Sequence, residues 1–91
     1  MISSMSNSQI KTLMALQKKA KARQEAGLFV VEGLKMVSEV PKERLKQIYA
    51  SESFLAAHGD IKAVYGSLLE TVTDKVFKDI SQTQTPQGIL P

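Results

Sequence analysis

Five cationic side chains crowd into the first 24 residues, Lys11, Lys18, Lys19, Lys21 and Arg23, with no Asp or Glu among them. Residues 25–91 carry seven basic and nine acidic side chains, so a segment of net charge +5 sits on a body of −2 and the whole chain is +3. Ammonium and guanidinium groups concentrated in this way are the electrostatic footprint of an anionic partner such as a phosphate backbone. A solvated helix face with surplus lysines is the other reading of the same charges. Three more residues are candidates for such a site. The amides of Asn7 and Gln87 can read a base edge or a ribose hydroxyl, although Gln87, between Pro86 and Gly88, also fits a plain turn. Lys35 lies one turn into an expected helix, where a cation and the helix N-terminus both favour phosphate.

Chemistry beyond binding is sparse, and no catalytic residue is assigned. Glu32 closes an apolar run, where its carboxylate can hold the amides opening the next helix or orient a lysine or arginine. His58, beside Gly59 at an expected helix end, suits the helix dipole better than general base catalysis. Cysteine is absent and histidine single. Disulfides and thiolate metal sites are therefore excluded, no zinc or haem constellation is available, and no metal is expected; a cytoplasmic location fits. There is no Gly-rich phosphate loop and no Ser-His-Asp set. Trp is missing, and the two Tyr and three Phe are scattered, so no stacking platform for bases is evident.

These residues must be positioned by a single domain. A chain of 91 residues, 43% hydrophobic and 23% charged, is within the globular range. No apolar run approaches the ~20 residues that cross a bilayer, and the polar start is not a signal peptide, so no membrane partner is expected. The spacing predicts a first helix over Asn7 to Lys19, capped by Ser6 or Asn7, with Ile10, Leu13, Met14 and Ala20 facing inward. Continuing it would turn Lys21 onto the apolar face. The helix is therefore expected to stop near Ala20, leaving Lys21 and Arg23 on an adaptable segment up to Gly27.

Leu28-Phe29-Val30-Val31, between Gly27 and Gly33, predicts a central strand buried on both faces. A helix from Leu34 to Val40 follows, with Leu34, Val37 and Val40 inward, until Pro41 ends it or opens a separate turn. Gly33 provides the sharp strand-to-helix turn. Leu45–Ala50 predicts a second strand, Ser51 caps a helix ending at Gly59, and the stretch after Asp60 stays ambiguous. Leu69–Val72 predicts a third strand, and Thr73 caps a helix burying Val76, Phe77 and Ile80. The apolar-free loop Ser81–Gly88 leads to Ile89 and Leu90, the expected opening of a further strand, as though the chain were trimmed from something longer. The alternation is that of a layered α/β fold.

Ordered motifs run through this scaffold: Asn7-x-x-Ile10-Lys11, then Lys18-Lys19-Ala20-Lys21-Ala22-Arg23, then Phe29-Val30-Val31-Glu32-Gly33-Leu34-Lys35, and finally Ser81-x-Thr83-x-Thr85-Pro86-Gln87-Gly88. Together they resemble the N-terminal substrate-binding domain of SpoU/TrmH-type RNA 2′-O-ribose methyltransferases. The resemblance implies a three-layer α/β/α sandwich with a small mixed sheet, related to the kink-turn-binding ribosomal proteins. It implies that residues 1–91 form an RNA substrate-binding domain ahead of a knotted SPOUT domain that binds S-adenosylmethionine and transfers the methyl group. The motifs of that second domain are absent, so no cofactor is expected in this chain. The resemblance also implies structured RNA, rRNA or tRNA, as partner, with a monomeric isolated domain and a homodimeric full-length enzyme. Glu32, Gly33, Pro86 and Gly88 are then motif residues of structural importance. Two alternatives use the same residues: a stand-alone kink-turn-type RNA-binding module without enzymatic activity, and a protein adaptor whose lysines serve only solubility.

Overall fold

The computed structural model describes residues 1–91. Helix α1 spans Ser8–Lys18, and Asn7 rather than Ser6 caps it, its Oδ1 accepting from the Gln9 N–H at 2.8 Å. Its buried stripe is Ile10, Leu13 and Leu16. Leu16 replaces Ala20, which lies exposed past a break at Lys19, where the backbone is extended (φ −121°, ψ 113°). Lys21 and Arg23 are not on an adaptable segment: Ala20–Ala26 forms a second helix, α2, closed by Gly27 in the left-handed conformation (φ 66°). Redirecting the chain at Lys19 keeps Lys21 off the apolar face without giving up helical hydrogen bonding.

The four strands are β1 (Phe29–Glu32), β2 (Gln47–Ser51), β3 (Leu69–Val72) and β4 (Gln87–Leu90), in the sheet order β1-β4-β2-β3. β4 runs antiparallel to both its neighbours, while β2 and β3 are parallel. The last strand in sequence is thus central, buried at all four positions. It begins at Gln87 rather than Ile89, taking the end of the expected loop into the sheet. β1 is consequently an edge strand, not a central one, with Phe29 45% exposed. A short apolar run reports that a strand is largely covered by side chains, but not which strand hydrogen-bonds on each side. The opposite edge, β3, is covered by the N-terminus: Ile2 donates to the Thr71 carbonyl at 2.8 Å and accepts from the Thr73 N–H at 2.9 Å.

Alternation along the strands divides the core in two. Tyr49 and Ile89 face α1 and helix α6 (Asp74–Ile80), joining Ile10, Leu13, Leu16, Val76 and Phe77. Ile48 and Ala50 face the other way, toward α3 (Leu34–Glu39), α4 (Glu52–Ala57) and α5 (Asp60–Tyr65), joining Val37, Leu55, Ile61 and Tyr65. The result is the α/β/α sandwich with a mixed sheet. Pro41 opens a separate 3-10 turn at Lys42–Arg44, and the ambiguous stretch after Asp60 is helical, turning at Gly66 (φ 53°) into a second 3-10 turn before β3. Ser51 and Thr73 cap α4 and α6 as expected, accepting from the N–H groups of Phe54 and Val76. No helix is long and apolar enough to cross a membrane.

Two predictions follow from this packing. A Cβ on Gly88 would lie 3.3 Å from methyl carbons of Val31 and Val37 and 3.4 Å from one of Leu45, closer than ordinary contact. Gly88→Val therefore overpacks the sheet–α3 interface and is expected to cost about 1–3 kcal/mol, read as a lower urea midpoint at unchanged slope. Separately, the exposed Asp74 carboxylate accepts from the Ser53 hydroxyl and from its N–H at 3.0 Å, and these bonds hold its pKa below the ordinary value of 3.8. The contribution to stability is present above that ordinary value and is lost as pH falls through the lower folded-state pKa. In an NMR titration, Ser53→Ala should return the Asp74 pKa upward; an unchanged midpoint would contradict the assignment.

Candidate nucleic-acid interface

Three of the predicted cations converge. Lys11, Lys18 and Lys19, all exposed, line a shallow groove of about 260 Å³ with Met14 and Ala15. Lys11 and Lys18 are two turns apart on α1 and therefore lie on one flank, and the break in the chain places Lys19 beside them. None of the three has a carboxylate partner; the one ion pair in the molecule joins Lys21 to Glu25, at 3.9 Å on the surface of α2. Ammonium groups on aliphatic stems that already cover apolar surface keep their charge free for an incoming anion.

The other predicted residues lie elsewhere or are already engaged. Arg23 is half-buried, and its Nη1 donates to the carbonyls of Leu16 at 2.7 Å and Gln17 at 3.3 Å. It therefore closes the C-terminal end of α1, where carbonyls lack intrahelical partners and a cation is favoured. Asn7 is engaged through its Oδ1 as the cap of the same helix. Lys35 is exposed on α3 and shares no cavity with the α1 lysines. His58 stacks on Phe54 with ring centroids 4.2 Å apart, at the end of α4.

A larger cavity of about 440 Å³ opens beside the groove and shares Lys18 with it. Its walls come from α1 (Gln17), β1 (Val30, Glu32), α6 (Ile80), the Ser81–Thr83 turn and β4 (Gln87). Gln87 is 1% exposed, and its Oε1 accepts from Gln17 Nε2 at 3.0 Å while its own Nε2 has no partner. An orphaned buried donor costs roughly 1–3 kcal/mol, so the position calls for an explanation. Glu32 is held neither by helix amides nor by a cation: its Oε1 accepts from the Thr83 hydroxyl at 3.0 Å, and Thr83 and Thr85 share a 2.8 Å hydroxyl contact. The Gly33 N–H, in a backbone with φ of 100°, donates to the Pro86 carbonyl at 2.9 Å. The two distant motifs around Glu32-Gly33 and Thr83–Gly88 are thus one structural unit.

Gln17 and the Ser81–Thr83 wall were not singled out from sequence as site residues. The run of alternating Ser and Thr between Ser81 and Thr85 was a signal for the loop. Gln17 had none beyond its place next to Lys18, since its contact with Gln87 spans 70 positions.

A family model described as an MRM3-like substrate binding domain matches residues 7–91. Two solved structures are similar over 98% of the chain at 26% identity: an rRNA methyltransferase from Sinorhizobium meliloti, with a TM-score of 0.68, and an AdoMet-bound rRNA methyltransferase from the same organism, with 0.66. The chain spans 35% of the length of each. No curated protein sequence matches it.

The engagement of Arg23 makes a stability prediction. Arg23→Ala leaves the Leu16 and Gln17 carbonyls without their charged donor and should destabilise the domain by about 1–2 kcal/mol, measured by urea unfolding. A variant as stable as the parent would show that the α1–α2 elbow does not depend on this contact.

Proposed function

The chain belongs to the MRM3-like substrate-binding domains, and from that premise we propose that it captures RNA for an S-adenosylmethionine-dependent rRNA 2′-O-ribose methyltransferase of the SpoU/TrmH type. The observation that carries the proposal is the convergence of Lys11, Lys18 and Lys19, free of carboxylates, on one groove. The solved relatives, named as rRNA methyltransferases, favour rRNA over tRNA as the substrate. On this reading the catalytic SPOUT domain lies C-terminal in the longer protein, holds the methyl donor and supplies the dimer contact, while the isolated domain is monomeric. A cytoplasmic enzyme suits the cysteine-free composition.

The residues of this domain then bind and orient. Phosphate contacts fix the register of the RNA, and contacts to base edges or 2′-hydroxyls confer selectivity. Lys11, Lys18 and Lys19 supply the phosphate contacts. Lys21 and Lys35, exposed but outside the groove, add to the long-range attraction, as does the charge of Arg23. Asn7 and Gln87 are the polar readout residues of this reading, Gln87 through the cavity that it helps to line, where a nucleotide can leave the RNA stack.

Counterion release makes the account quantitative. Each phosphate contact contributes about −0.7 to the log–log salt slope on single-stranded RNA, so three lysines contribute about −2, and the five cations of the N-terminal basic segment no more than roughly −3.5. Binding of an rRNA stem-loop, followed by fluorescence anisotropy between about 50 and 200 mM salt, should show a slope in that range. The combined change of Lys11, Lys18 and Lys19 to Ala should flatten it by about 2. Salt-independent binding, or an unaltered slope in the triple variant, would rule out this groove as the phosphate site.

A further inference from the structure

We propose that the cavity beside Gln87 receives one unstacked guanine of the bound RNA. This inference rests on the RNA-capture reading and gives its cavity a ligand. The volume of about 440 Å³ suits a single small-molecule-sized group rather than a stretch of helix. Only two of its wall residues are apolar, Val30 and Ile80, and they offer surface to the face of a ring.

The polar groups select the base. Gln87 holds one polar amide atom in the interior without a partner, and with Gln17 Nε2 donating to Gln87 Oε1 that atom is the donor Nε2. Glu32 presents a carboxylate, and the hydroxyl of Thr83 occupies only one position on its Oε1. A carboxylate repels phosphate, and the remaining lone pairs of Glu32 suit the N–H groups of a base. The Watson–Crick edge of guanine carries two adjacent N–H donors, N1 and the exocyclic N2, next to the O6 acceptor. The two donors match the carboxylate, and O6 matches the unpartnered amide. Adenine and cytosine offer one donor group beside their acceptor, and uracil a single N–H. Lys18, common to this cavity and the lysine groove, lies where it can hold the phosphate of the inserted nucleotide.

The test is a titration of the 15N-labelled chain with GMP, IMP, AMP, CMP and UMP, following the side-chain amides of Gln17 and Gln87. GMP is expected to move the Gln87 amide resonances and to bind about tenfold or more tighter than AMP, CMP or UMP. IMP, which lacks the N2 amino group, should bind more weakly than GMP. Equal affinity for all five, or shifts confined to the lysine groove, would overturn the proposal. Gln87→Leu should abolish the guanine preference. Glu32→Gln, at an exposed position that leaves the core untouched, should do the same by turning one acceptor into a donor; a retained preference in that variant would also overturn it. The rRNA stem-loop is titrated into the same wild-type sample. Salt-sensitive RNA binding without a guanine preference sinks this inference alone, whereas loss of both removes the RNA-capture reading as well.

Discussion

Gly88 is where the backbone of one strand must carry packing from three directions. Methyl groups of Val31, Val37 and Leu45 lie 3.3–3.4 Å from where its Cβ would be, so β1, α3 and the segment leading into β2 all pack closely on β4. That close approach lets β4 sit centrally, completing hydrogen bonds on both sides. The alternation of the strand then places Gln87 and Ile89 on the opposite face, toward α1 and α6. Gln87 and Gly88, adjacent in β4, thus serve opposite faces of the sheet, one with a buried amide and the other with a close backbone approach.

The face opposite α3 has a second dependency, the elbow between α1 and α2. Ile10, Leu13 and Leu16 hold α1 on the sheet, and Arg23 reaches back to close the end of that helix. Lys18 and Lys19 stand at this junction, so the geometry of the groove is set by a contact made by a neighbouring cation. Arg23 serves the interface by shaping it, beyond whatever charge it contributes. The hydrogen bond from the Gly33 N–H to the Pro86 carbonyl does the equivalent on the other wall, bringing Glu32 and the Ser81–Thr83 turn together around the cavity.

Local signals in the sequence were legible. A first-helix cap at Ser6 or Asn7, the Ser51 and Thr73 caps, the Leu69–Val72 strand, a helix end near Ala20 (found at Lys19) and the inward Val76, Phe77 and Ile80 all follow from nearest-neighbour chemistry and helical periodicity. Non-local pairings were not. The edge position of β1 and the central position of β4 depend on a strand contributed more than fifty residues later, as the Phe29↔Leu90 pairing shows. Arg23 read as a phosphate ligand because composition reports charge, not the carbonyls within reach. The basic segment was visible as five cations, but only folding separates the three that share a groove from the two that do not.

The central claim is that RNA is gripped along α1, with the Gln87 cavity beside it. Chemical-shift mapping of the backbone amides with an rRNA stem-loop at low salt tests this most directly. The account predicts perturbations concentrated at Lys11, Gln17, Lys18 and Lys19 and along the Ser81–Gln87 segment. Perturbations confined to α3, α4 and α5, on the far side of the sheet, would contradict it.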